Sequence, residues 1–427
     1  MLIAIPILLA VLFLLAGVAV FAAFGLASVI GLDALNQSLQ SVPAIMFGGM
    51  DSFPLMAVPF FLLAGVLMKD SGISTRLVRF VSSFTGWIKG GAGLTMIYAS
   101  AVFGAISGSS VATVSAMGSI LSPEMRAKGY PAPYIGALTA VSGTLGILLP
   151  PSIPMVVYGI ATNTSIGELF LSGISAGLLL IVMLTVVHLV LVRRMPGILR
   201  DNQLDTAARE QRRIRKTLPP AVPALLLPVL ILGGIYGGVF TPTEAGAVSC
   251  VAAMLLGFVV YRSLTVPGFA KTLRTAAVTT AGLLIILAAG TLFSRWLTLS
   301  RVNAELAAFV AEYASSAAVF LILANVVVAA VALFVEENTT IIILAPLLVP
   351  IATELGIDPV HFGAIMVVNM GISLSMPPMA PNLFVAAKVC GASFTRMTRP
   401  TLIFLGCAAL PVLILVNMFP DMVLFFR

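Results

Sequence analysis

Hydrophobic positions in this chain come in blocks separated by short polar clusters, not in alternation. Apolar runs of about 20 residues read as helices crossing a bilayer, and their recurrence from end to end reads as a helical bundle, not a barrel of alternating strands. In the first half, spans are expected at 3–24, 29–49 and 52–68. An amphipathic arm at 72–90 with Arg76, Arg79 and Lys89 follows, then a glycine-rich hairpin at 93–122, a span at 133–162 and a long one at 166–192. The second half repeats that order: spans at 218–239, 243–261 and 278–297, an arm at 300–316, a hairpin at 320–349, and spans at 360–387 and 401–424. Between them, 193–216 sets Arg193, Arg194, Arg200, Arg209, Arg212, Arg213, Arg215 and Lys216 against Asp201, Asp205 and Glu210, which marks a cytoplasmic linker.

Two of these spans cannot be continuous. Ser142-Gly143-Thr144-Leu145-Gly146 runs into Pro150-Pro151-Ser152-Ile153-Pro154, and Asn369-Met370-Gly371-Ile372-Ser373 runs into Pro377-Pro378-Met379-Ala380-Pro381. Paired prolines remove backbone donors and clash with the preceding turn, so each helix is expected to break inside the membrane. A shift of 227 positions carries Thr113, Pro123, Gly129, Gly136, Pro150, Pro151 and Pro154 onto Thr340, Pro350, Gly356, Gly363, Pro377, Pro378 and Pro381. The chain therefore reads as two repeats, 1–192 and 217–427, with uninterrupted spans in 1–71 and 217–297. Each repeat has an odd number of crossings, which inverts one against the other. The fold class is an all-α polytopic membrane protein with re-entrant hairpins and broken helices.

Composition and charge agree. The chain has 427 residues, 60% hydrophobic and only 9% charged, far from the quarter charged that is typical of soluble domains. Its net charge of +7 does not point to nucleic acid, because placing the linker in the cytoplasm puts 20 of the 23 Lys and Arg on that side, with Arg295, Arg301 and Arg427 outside. Both termini are then extracytoplasmic, and the apolar N-terminus, with no basic residue before Lys69, reads as a retained span. Cys250, Cys390, Cys407, His188 and His361 form no disulfide, zinc or haem pattern, and no phosphate loop or nucleophile motif appears. No cofactor, transition metal or enzymatic activity is expected.

The polar residues inside the membrane carry the candidate chemistry. In the first hairpin, Ser107, Gly108, Ser109 and Ser110 let the turn unwind and offer hydroxyl and carbonyl oxygens to a cation such as sodium, with Ser142, Gly143 and Gly146 of the break opposite. The matching turn holds Glu336, Glu337, Asn338 and Thr339, facing Asn369, Gly371 and Ser373. Buried carboxylates mark ion pathways, so Glu336 is expected to ligate sodium or carry a proton, while one glutamate could simply cap the second half-helix. An anionic substrate is expected between the turns, against Ser110, Thr144, Pro151, Ser152, Asn338, Met376 and Pro378. Thr241-Pro242-Thr243-Glu244 reads as a helix start, and Trp87, Trp296 and Tyr98 as interfacial anchors.

Four stretches carry a resemblance. GAISGSSVATVSAMGSILSPEMRAKGYP (104–131), GILLPPSIPMVVYGIATNTSIGELFLSGISAGLLL (146–180), GGVFTPTEAGAV (237–248) and GIDPVHFGAIMVVNMGISLSMPPMAPNLFVAA (356–387) resemble the large membrane subunit of tripartite ATP-independent periplasmic (TRAP) transporters. The resemblance implies a bacterial inner-membrane, sodium-driven importer of organic anions such as sialic acid, dicarboxylates, sugar acids or keto acids. It also implies an elevator-type transporter of the ion transporter superfamily, working with a small four-span membrane subunit and a periplasmic substrate-binding protein. Family cation-site regions match Ser107–Ser110, Ser142–Gly146, Glu336–Thr339 and Asn369–Ser373. The chain departs from the family pattern at Met376-Pro377-Pro378-Met379-Ala380-Pro381 and in its acidic turn, which keeps the substrate open. The alternative is a stand-alone sodium- or proton-coupled carboxylate symporter of the same architecture.

Overall fold

A computed structural model of the chain describes residues 4–195, 197–198, 214–300, 316–377 and 380–425. Nearly all of the second arm (301–315), most of the linker and Pro378 lie outside these residues. Every regular element among the described residues is a helix. Six helices are long and apolar enough to cross a membrane, seven with the bent pair Ala132–Leu148 and Ile153–Thr162.

In the first half, helices α1 (Ala4–Leu15), α2 (Val20–Ala34) and α3 (Val42–Met50) precede α4 (Ala57–Asp70) and the amphipathic α5 (Ile73–Thr85). The first hairpin is α6 (Gly91–Ser107) and α7 (Ser110–Ala127). The first broken span is α8 (Ala132–Gly143), the single turn α9 (Leu145–Leu148) and α10 (Ile153–Thr162), followed by α11 (Ile166–Arg193). The second half has α12 (Ile214–Tyr236), α13 (Pro242–Leu255, extended by a π-helical turn to Val260) and α14 (Val266–Leu299). Its hairpin is α15 (Ala317–Ala332) and α16 (Glu337–Glu354), its broken span α17 (Pro359–Ser373) and α18 (Pro381–Cys390). The last span is α19 (Phe394–Phe404), a π-helical turn and α20 (Leu410–Met418), then the short α21 (Pro420–Leu424).

Helix α11 shows why this is a membrane fold. Leu180, Leu184, His188 and Val192 are buried at four-residue spacing, while Leu178, Val182, Val186 and Val190 form an equally regular stripe about half exposed. A helix apolar on both faces is stable only with lipid on one of them.

The repeat read from the prolines governs the fold. Helices α7 and α16 begin and end 227 positions apart, at Ser110 and Ala127 and at Glu337 and Glu354. The halves interlock, because α7 packs on α18 and α16 on α10, while α4 packs on α13 and α14 on α2. Hydrogen bonds give the relative direction. Ser110 at the start of α7 meets Asn382 at the start of α18, and Arg126 near the end of α7 donates to the Cys390 carbonyl at the end of α18, so these two run parallel. Helix α8 runs against α7, since Gly143 at its end lies on the Ser110 carbonyl and Thr139 on Gly118. Beyond a 43° bend, α10 keeps the sense of α8. Repeat mates α10 and α18 therefore point in opposite directions, and the two halves are inverted.

Several expected boundaries are overturned. The spans at 3–24 and 29–49 are replaced by three shorter helices, because Gly17 (φ 79°) and Asn36 (φ 55°) take left-handed conformations that end α1 and α2. At each end an N–H reaches back five residues, Val18 to the Phe13 carbonyl and Gln37 to that of Leu32; the chain stays apolar past Gly17, whereas Gln37, Ser38, Gln40 and Ser41 form a polar stretch inside the span expected at 29–49. The span placed at 278–297 begins at Val266, where Thr265 caps it and Pro267 sits in the first turn. Ile214–Lys216, assigned to the linker, belong to α12. The last span, expected at 401–424, runs from Phe394 to Met418. Trp296 is no interfacial anchor: it is 1% exposed, its indole laid on Gly31 of α2 and beside Phe293. Trp87, in contrast, is 65% exposed.

Candidate functional site

The first turn is built by one left-handed glycine. Gly108 (φ 63°) ends α6, its N–H bonding the Gly104 carbonyl at 3.0 Å, and Ser109 then caps α7 by accepting from the Ala112 N–H at 3.4 Å. Thr113, one turn into α7, donates from Oγ1 to the Ser109 carbonyl at 2.8 Å and lies 3.1 Å from Ser107 Oγ. Three oxygens, Ser107 Oγ, the Ser109 carbonyl and Thr113 Oγ1, thus gather at the mouth of a half-helix. The first break is pressed against them. A Cβ on Gly146 would lie 2.5 Å from both the Ser109 carbonyl and Thr113 Oγ1, so only glycine fits there. The Gly108 carbonyl accepts from the Ile153 N–H at 3.3 Å, joining the turn to the start of α10.

The remaining first-half residues divide between structure and availability. Ser152 caps α10 and donates to the Ile147 carbonyl at 2.5 Å, which ties the extended segment through Pro151 back onto α9. Thr144 donates to the Val141 carbonyl at 2.7 Å. Ser142 Oγ is buried with no hydrogen-bond partner.

The second turn has the same backbone scheme and different chemistry. Glu336 caps α16, one carboxylate oxygen accepting from the Thr339 N–H at 3.1 Å and hydroxyl at 3.3 Å, the other from Asn338 Nδ2 at 2.5 Å. The capping glutamate is therefore Glu336, and Glu337 lies buried in the first turn of α16. Thr340 donates to the Glu336 carbonyl at 3.1 Å, as its repeat mate Thr113 does to Ser109. Asn338 Oδ1 is buried and unpartnered. On α17, Asn369 donates to the carbonyl and to Oδ1 of Asn325, which in turn donates to Asn417, and Ser373 bonds the Asn369 carbonyl.

Thr144 and Gly371 are repeat mates 227 apart and lie against each other, which places the pseudo-two-fold axis between the two breaks. Only about 10 Å³ remains beside them. Asn382 ties the halves together, donating to Ser110 Oγ at 2.6 Å and to the Ala140 carbonyl at 3.3 Å, with its own Oδ1 unpartnered. Ser375 donates to the same Ala140 carbonyl at 3.2 Å, and Met376 beside it is partly exposed at 37%. The structure thus brings Ser107, Gly108, Ser109, Ser110 and Gly146 into one cluster, and Glu336, Asn338 and Thr339 into another. An open cleft of about 960 Å³ lies elsewhere, where the end of α10 faces α14 and α16, lined by residues including Asn163, Thr164, Thr291, Arg295 and Ile342. None of the expected substrate residues among the described residues borders it.

Sequence reasoning did not single out Thr113 and Thr340 as site residues, although the repeat aligned them. It also missed Asn325, Asn382 and Asn417, lone amides in apolar segments, which a scan for side-chain amides within membrane helices would have raised.

Comparison with known proteins follows the same lines. The family model described as "Tripartite ATP-independent periplasmic transporter, DctM component" matches residues 2–422. The C4-dicarboxylate TRAP transporter large permease protein DctM of Pseudomonas aeruginosa is 40% identical over 368 residues, 86% of this chain and 84% of that protein. The sialic acid TRAP transporter large permease protein SiaM of Vibrio cholerae is 38% identical over 379 residues, 89% and 87% of the two chains. The isethionate TRAP transporter permease protein DctMQ of Oleidesulfovibrio alaskensis is 37% identical over 418 residues, 97% of this chain but 65% of that longer one. Among solved structures, the Alcanivorax borkumensis YdaH transporter superposes with a TM-score of 0.68 over 98% of each chain at 17% identity, a likeness of fold.

Proposed function

The chain belongs to the DctM family of tripartite ATP-independent periplasmic transporters, as a large membrane subunit, and we propose that it imports an organic anion by sodium-coupled elevator motion. One observation carries this reading: a hairpin turn and a helix break meet through Gly146, and the turn's oxygens converge there at the start of a half-helix. Ser107 Oγ, the Ser109 carbonyl and Thr113 Oγ1 are hard, neutral ligands suited to sodium, and the unpartnered Ser142 hydroxyl is available on the adjacent break. The second turn offers a carboxylate, Glu336, and the free Asn338 Oδ1.

The substrate reading draws on the relatives. Proteins named for C4-dicarboxylates, sialic acid and isethionate share anionic organic substrates, two classes with carboxylates and one with a sulfonate. The common requirement is a compact oxyanion, a group that the start of a half-helix favours. A small membrane subunit fits the part of DctMQ that this chain does not cover, and a periplasmic binding protein fits the family description. The expected bacterial inner-membrane location and periplasmic termini belong to the same reading.

Elevator motion is supported by how the parts interlock. The hairpins and broken spans grip each other across the halves, α7 with α18 and α16 with α10, and can move as one body. Their contacts with α4 and α14 run over glycines, Gly65 against the Ser107 carbonyl and Gly290 against Ile342, a smooth face along which one body can slide.

The test is reconstitution in liposomes with the cognate small subunit and binding protein. Uptake of a radiolabelled organic anion is expected to require all three proteins and external sodium at clamped voltage. Undiminished uptake when potassium replaces sodium overturns the coupling, and undiminished uptake without the binding protein favours the stand-alone symporter.

A further inference from the structure

At one end of the bundle the helix termini mark a membrane boundary. The apolar helices Phe53–Asp70 and Pro242–Val260 end there, and Ile214–Tyr236 begins there, each at charged residues: Lys69 and Asp70, Arg262, Arg215 and Lys216. Along this plane lies α5, with Leu77, Val78 and Val81 buried against the bundle and Phe84, and Trp87 just past its end, exposed. Such an arm, with aromatic side chains outward at the boundary, sits at headgroup depth.

Between α5 and the start of α12 opens a cavity of about 460 Å³. Arg76, Arg79 and Lys216 line it, with the hydroxyl-bearing Thr75 and Thr217, and no acidic side chain among the described residues does. Arg76 is fixed in place. It donates to the Gly72 carbonyl at 2.9 Å, and its guanidinium lies 3.8 Å above the ring of Tyr261, which is itself held by a 2.8 Å bond to the Pro220 carbonyl. An ordered guanidinium, two further cations and two hydroxyls in a concave space are the groups that recognise a phosphate.

We propose that this cavity binds the phosphodiester headgroup of an anionic phospholipid. A bilayer lipid is favoured over a free phosphate because the cavity lies at headgroup depth beside an exposed apolar surface, Leu218 and Val222 of α12, on which acyl chains can rest. The lipid bridges the arm and α12, and α5 leads directly into the first hairpin, so the bound headgroup ties that hairpin's base to an uninterrupted span. The proposal depends on the transporter reading only for which leaflet supplies the lipid.

Native mass spectrometry of the full chain, released from phosphatidylcholine nanodiscs doped with phosphatidylglycerol, tests it. Wild-type protein is expected to retain one phosphatidylglycerol, and Arg79→Gln/Lys216→Gln to weaken retention about thirtyfold, taking about a fivefold factor per basic side chain. The control Lys271→Gln/Arg274→Gln, which removes two exposed cations of α14 outside the cavity, is expected to retain the lipid. Arg79 and Lys216 are both exposed, so folding should survive, and the single Arg79→Gln variant gives a second, milder reading. Equal loss in the control, equal retention of phosphatidylcholine, or full displacement by millimolar inorganic phosphate would each overturn the proposal, the last by assigning the site to free phosphate. Each readout is independent of uptake, so its failure leaves the transport reading standing.

Discussion

The two hairpin turns share one backbone device and differ in almost everything attached to it. In each, a cap residue accepts from an N–H three positions on, and a threonine one turn later, Thr113 or Thr340, donates to the cap's carbonyl. The first turn is neutral and clamped from outside, with Gly146 of the break on one side and Asn382 of the other half on Ser110. The second turn is acidic and satisfied from within, Glu336 taking its bonds from Asn338 and Thr339. At the place matching Asn382 stands Met155, which has no amide to offer. Repeat symmetry therefore conserves what the backbone needs in order to start a half-helix inside a membrane, and leaves the ligand chemistry free to diverge.

The most damaging way to break this asymmetry is Gly146→Val. Its side chain has no room beside the Ser109 carbonyl and Thr113 Oγ1, so a loss of about 1–3 kcal/mol in stability and abolished sodium-dependent uptake are expected. Gly371→Ala is the matched control, because a Cβ there lies at an ordinary 3.4 Å from Thr144 Cβ, and a clearly smaller loss is expected by thermal unfolding in detergent. Equal losses at the two positions would show that the first break is no more tightly clamped than the second.

Next comes Asn382→Ala, which leaves the buried Ser110 hydroxyl without its amide partner. A cost of about 1–3 kcal/mol is expected, read from thermal unfolding, whereas Met155→Ala should behave as an ordinary core truncation without changing the sodium response. An unchanged melting temperature in Asn382→Ala would dissolve the cross-half tie.

The caps give the sharpest chemical comparison. Ser109→Ala weakens a half-helix start by about 0.5–2 kcal/mol, and Glu336→Gln, which keeps one acceptor oxygen, weakens its own by less. If only the second turn adds a charged ligand, half-saturating sodium for uptake rises more in Glu336→Gln than in Ser109→Ala; parallel shifts would make the two turns equivalent. The smallest effects are expected for Thr113→Val and Thr340→Val, about 0.5–1.5 kcal/mol each for one back-bond. Of these two, Thr113→Val should also disturb sodium dependence, because its hydroxyl faces Ser107.

Much of the fold was legible in local pattern. The positions of both breaks follow from Pro150-Pro151 and Pro377-Pro378, and the equal lengths of α7 and α16 follow from a repeat visible in seven aligned residues. The N-terminal spans were misread for two reasons: Gly17 ends a helix by backbone conformation while the hydropathy around it barely changes, and the reading of 29–49 as one span ran across the polar stretch Asn36-Gln37-Ser38. Trp296 was misassigned because a tryptophan near a span's end looks the same whether it faces lipid headgroups or the vacant side of Gly31.

What the sequence alone determined is what each residue's immediate neighbours dictate: apolar length sets the membrane, proline pairs set the breaks, and the internal repeat sets the number of copies. Which side chains meet was decided only by the tertiary structure. Asn382 reaches Ser110 across 272 positions, and Thr144 meets Gly371 on the pseudo-two-fold axis. Contacts at such separations depend on how two inverted halves interlock, and no local run of residues encodes that geometry.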